Sequence, residues 1–121
     1  MPFRSPYPDV AVPNLTLPEL LFRDLDGHAD KPALIDASTG TTLTYAELRD
    51  AAHRVAGALA RRGFAKGDKL AILAPNLPEY AVAVQATMLA GGTVTTMNPL
   101  YTEPEIEHQL HDSEAKILLT T

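Results

Sequence analysis

Few residues of this chain combine the types and spacing that chemistry requires, and each has a plainer structural reading beside it. His108 and His111 stand three apart, next to Glu107 and Asp112, so one helix face would carry two imidazoles that could begin a metal site. The segment around them is short and polar, and solvated histidines account for it better; His28 and His53 read as surface residues too. Gly63-Phe-Ala-Lys-Gly-Asp-Lys69 sets two glycines beside lysines, as a phosphate loop would. Such a loop needs Gly-x-x-x-x-Gly-Lys-Ser/Thr between a strand and a helix. This segment follows a helix and precedes a strand, so it reads as a helix end and a turn. Ser5, Ser38 and Ser113 lack the Gly-x-Ser-x-Gly surroundings of an activated serine. Tyr101 follows Asn98-Pro99 at the end of an expected strand, where open parallel sheets bind ligands; its ring either lines a site or packs the turn.

The elements that must position these residues are announced by a repeated device. A side chain able to accept a hydrogen bond is followed three residues later by Glu at Thr16/Glu19, Thr44/Glu47, Asn76/Glu79 and Thr102/Glu105. The threonine pairs match the capping box, and Asn76 is a good N-cap at the same spacing. Pro18, Pro78 and Pro104 fall in the first turns, where a missing N–H costs nothing. Helix starts are therefore expected at all four. Leu48, Ala51, Ala52, Val55 and Leu59 give the second helix one apolar face, and Gly63 suits its C′ position. The third helix, about residues 77–90, has almost no polar face and reads as buried. The fourth, about 103–112, offers mainly Ile106 and Leu110 and reads as largely exposed.

Short apolar runs at 33–36, 41–44, 69–74, 93–97 and 116–120 read as strands, with a hairpin turn at Asp36-Ala-Ser-Thr-Gly40. Strand and helix then alternate, which predicts an α/β fold of βαβ units with a mostly parallel sheet. Residues 1–15 hold Pro2, Pro6, Pro8 and Pro13 and read as an extended arm; residues 16–121 read as one partial domain. An all-apolar third helix and a final strand without a following helix predict that one face of that helix stays wet unless further protein or a second copy covers it. An exposed apolar patch and self-association would follow.

Composition narrows the function. The 121 residues carry a net charge of −5 with the two signs mixed, which argues against a nucleic-acid binder. No cysteine is present, so disulfides and cysteine zinc sites are excluded. No signal peptide is visible, and the longest apolar stretch is far below the roughly 20 residues that span a bilayer. A cytoplasmic protein is the expectation.

Three stretches, in order, resemble the opening of an adenylate-forming ligase: Leu43-Thr-Tyr-Ala-Glu-Leu48, Gly67-Asp-Lys-Leu-Ala-Ile-Leu-Ala-Pro-Asn-Leu-Pro-Glu-Tyr80, and Leu89-Ala-Gly-Gly-Thr-Val-Thr-Thr-Met-Asn-Pro-Leu-Tyr-Thr102. Asn98-Pro-Leu-Tyr-Thr102 with Glu105-Ile106 is the most specific. It looks like acyl- and aryl-CoA ligases, and Ser5-Pro-Tyr-Pro-Asp-Val-Ala-Val-Pro13 with Leu17-Pro-Glu-Leu-Leu21 is similar to the 4-coumarate–CoA ligase type. The family's Lys-Ala-Gly element has Leu89 in place of lysine here.

The resemblance implies the N-terminal portion of the large domain of an AMP-forming acid–CoA ligase, using ATP, magnesium and CoA on a carboxylic acid. The family's phosphate loop, later nucleotide motifs and catalytic lysine have no counterpart in these residues. No catalytic, cofactor-binding or metal-ligating residue is therefore assigned. The chain by itself is expected to be inactive, to bind none of these cofactors tightly, and to have the remainder of its own protein as partner. The competing expectations are a self-sufficient α/β binding or regulatory module, and a remnant that docks on a full-length ligase.

Overall fold

The computed structural model describes residues 5–121. Residues 5–15 are exposed and carry no helix or strand; the first four positions of the expected arm lie outside the described residues. The elements follow as α1 (Leu17–Phe22), β1 (Pro32–Ile35), β2 (Thr42–Thr44), α2 (Tyr45–Arg61), β3 (Lys69–Leu73), α3 (Pro78–Leu89), β4 (Thr93–Met97), α4 (Glu103–Ser113) and β5 (Ile117–Thr120).

The hairpin is built by Asp36. Its carboxylate accepts the Ser38 amide at 2.8 Å, the Ser38 hydroxyl at 2.7 Å and the Thr39 hydroxyl at 2.9 Å. The turn closes β1 against β2 in antiparallel register, Leu34 opposite Leu43 and Ile35 opposite Thr42. The Ser38 hydroxyl, then its amide and the Thr39 hydroxyl, pull the Asp36 carboxyl down to about 2.

β3, β4 and β5 form a parallel sheet in the order β4-β3-β5, as the alternation of elements predicted. Register places Val94, Leu70 and Ile117 in one row and Thr95, Ala71 and Leu118 in the next. Successive rows point to opposite faces. The first face packs on α3 and α2: Leu70 and Ile72 join Leu59, Phe64, Ala74, Ala83 and Ala86 in one buried cluster. α4 lies on the other face, where Gln109 Nε2 donates to Thr95 Oγ1 at 2.8 Å and to the Thr96 carbonyl at 2.9 Å. The split follows from chain direction. β3 to β4 steps one way across the sheet and β4 to β5 steps back, so right-handed crossovers put their helices on opposite faces.

Two expectations are corrected. Asn76 does not cap α3: the N-cap is Leu77, with extended backbone (φ −124°, ψ 156°) and no side-chain cap bond. A residue before proline resists the helical region. At Leu17 and Glu103, also before prolines, a threonine box overcomes that resistance: the Thr16 and Thr102 amides and hydroxyls all donate to the Glu19 and Glu105 carboxylates. Asn76 makes no such bond among the described residues, and the helix starts one residue later. The second correction concerns α3 itself, which does not keep a wet face. α2 and α1 both pack against it besides the sheet, and of Pro78–Leu89 only Glu79 is exposed.

The open apolar surface lies elsewhere. Among the described residues β5 pairs with β3 alone, Leu118 is 41% exposed, and a groove of about 380 Å³ runs between β5 and α2.

Candidate functional site

The two rims of the parallel sheet differ in how their polar groups are used. At the rim where the strands begin, the turn from α2 to β3 is organised by Asp68. Its carboxylate accepts the Ala65 amide at 2.7 Å and Lys116 Nζ at 2.7 Å, while Lys116 also donates to the Gly63 carbonyl at 2.7 Å. The Lys116 hydrogen bond first, and the Ala65 amide second, hold the Asp68 carboxyl below its usual range. The Asp68 carbonyl accepts the Thr93 amide, so this one residue touches the starts of β3, β4 and β5. Lys69 pairs with Glu114 at 3.1 Å.

Two glycines fit this rim for different reasons. Gly91, after α3, has φ +77°, which a side chain would strain. Gly92 has no room: an added Cβ would stand 2.4 Å from Phe64 Cε1 and 2.9 Å from the Asp68 carbonyl oxygen.

The glycine turn is thus a helix end and a turn, as its context predicted. Its amides are also spent internally. Gly63 donates to Ala60, Gly67 to Gly91, Gly91 to Met88 and Gly92 to Thr87, each to a carbonyl at 2.9–3.0 Å. These four glycine amides are not free to meet a phosphate oxygen.

The rim where the strands end is built from the segment between β3 and α3, the segment between β4 and α4, and the β1–β2 turn. Asn98 Oδ1 accepts the Leu100 amide at 3.0 Å and the Asn98 carbonyl accepts the Tyr101 amide at 3.0 Å, a turn that leaves Leu100 86% exposed. Tyr101 borders a shallow groove with Glu105, His108, Gln109 and Asp112, so its ring lies along α4. Asn76 and Leu77 face Leu34, Ile35 and Ser38 across a groove of about 420 Å³.

The remaining chemistry-bearing residues do not converge. His108 borders the Tyr101 groove, while His111 sits with Ile106 and Leu110. Among the described residues no group of three or more His, Asp or Glu could hold a metal ion. His53 lines a groove with Phe22 and Arg49. His28 is not a free surface residue: its ring meets Tyr45 edge to face at 5.3 Å. The Ser38 and Ser113 hydroxyls donate to Asp36 and to the Leu110 carbonyl, and Ser5 Oγ accepts the Tyr7 amide. Sequence reasoning did not find the Asp68–Lys116 clamp or the Phe64–Gly92 contact. The paired glycines were a signal for the second, and for the first there was none, because its partners are 48 residues apart.

A phosphate does not fit the helix starts of this part of the molecule. The helices that open toward the rim where the strands end carry Glu79, or Glu103 and Glu105, in their first turns, where an incoming phosphate would meet like charge.

What the geometry defines is an α/β domain with crossover helices on both faces of an open parallel sheet. The AMP-binding enzyme family pattern matches residues 21–121, and the chain belongs to that family. It is 40% identical to 4-coumarate–CoA ligase 4 of Arabidopsis thaliana, over 98% of this chain and 22% of that protein. The fold superposes on a benzoate CoA ligase from Burkholderia xenovorans LB400 with a TM-score of 0.82 at 26% identity, covering 88% of this chain and 21% of that one. MatB from Rhodopseudomonas palustris matches with a TM-score of 0.79 at 36% identity, over 87% of this chain and 21% of that one. The chain spans about a fifth of the length of these relatives.

Proposed function

We propose that this chain forms the N-terminal part of the large domain of an AMP-forming acid–CoA ligase. Such an enzyme joins a carboxylic acid to AMP from ATP with release of pyrophosphate, then passes the acyl group to the thiol of CoA with release of AMP. The observation that carries the reading is the 40% identity to a 4-coumarate–CoA ligase across 98% of the chain, supported by likeness to a benzoate CoA ligase fold.

Within that enzyme the role of these residues is to build and brace one sheet and to present its loops. Positioning of acid and nucleotide requires a rigid wall, and the clamped rim at Asp68 with the buried α3 supplies one. ATP, magnesium, CoA and the acid are held by the remainder of the protein, which is this chain's principal partner. The enzyme works in the cytoplasm; among the described residues no helix is long and apolar enough to cross a membrane.

The test is acid-dependent ATP–pyrophosphate exchange and CoA thioester formation by the full-length protein that carries this chain, against a panel of aryl and fatty acids. Both activities are expected with at least one acid class, and neither with the 121-residue chain alone. Absence of exchange with every acid, in a protein that binds ATP, would overturn the reading.

A further inference from the structure

We draw no further inference here: the strongest candidate, the apolar groove between α2 and the open edge of β5 lined by Val55, Leu59, Ile117 and Leu119, is an unpartnered face, and nothing in the structure shows what covers it.

Discussion

The rim where the parallel strands begin draws on glycines and charged side chains, the rim where they end on prolines, asparagines and short polar side chains, and the two are built to opposite purposes. At the first, Asp68 and Lys116 pair with each other, Gly67 donates to Gly91 and Gly92 to Thr87, and three strand starts are tied through one carboxylate and one carbonyl. At the second, Leu100 stands 86% exposed, Ile35 67% exposed, and Asn76 is left outside the helix it was expected to cap. One rim stabilises the sheet and the other leaves side chains free to meet something else. The contrast teaches that residue type alone does not mark a site. What differs between the rims is how far the side chains are already engaged.

The contrast breaks most readily at Gly92. Gly92→Ala drives a methyl into the Phe64 ring and the Asp68 carbonyl, and overpacking of this kind costs about 1–3 kcal/mol. The urea midpoint should fall at unchanged m-value, and Phe64→Leu in the same chain should recover part of the loss. Next in size comes Thr102→Ala, which removes the capping box of α4 at the rim where the strands end. Loss of a threonine cap costs about 1 kcal/mol, and the midpoint should drop accordingly. If Thr102→Ala matched a surface substitution, the cap would not be what holds Glu103 helical before Pro104.

Acid should then loosen the clamped rim. Asp68 has its carboxyl lowered by Lys116 and the Ala65 amide, so its stabilisation is present above the ordinary value of 3.8 and is lost as pH falls through the lowered folded value. Asp36 behaves alike, its window running from 3.8 down to about 2. Urea midpoints measured between pH 6 and pH 2 should fall below pH 4. Lys116→Met should flatten part of that fall; an unchanged profile would mean that Asp68 owes its low value to the turn alone. The smallest effects belong to Asn76→Ala and Leu100→Ala. Both should leave stability within about 0.5 kcal/mol, as surface substitutions do. A larger loss at Asn76 would show it acting on α3 after all.

Much of the fold was legible because local signals agreed with global ones. The expected strand at 93–97 matches β4 residue for residue, since Thr93, Val94, Thr95, Thr96 and Met97 are bounded by Gly92 and Asn98-Pro99. The three threonine boxes located α1, α2 and α4 because a hydroxyl and a carboxylate three residues apart define the geometry by themselves. Asn76 misled because it copies the spacing without the hydroxyl. The wet face expected of α3 did not form because periodicity tells how much of a helix is apolar and not what lies against it; α1 and α2 both do. Strand order was equally hidden, since nothing in Ile117–Thr120 says which side of β3 it will take. The rim where the strands end was located in advance through Asn98-Pro99 and Tyr101, but the grooves on it join residues as distant as Ser38 and Asn76.

The clamp between Asp68 and Lys116 also sets a timetable. Its partners are 48 residues apart, and ribosomes add roughly 5–20 residues per second, so Asp68 waits several seconds for the lysine that completes it. Throughout that interval β3 has an unpaired edge on the side β5 will take. The nascent protein therefore passes through a stage in which its central strand is a sticky template, and the cell's chaperones have their strongest claim on it then.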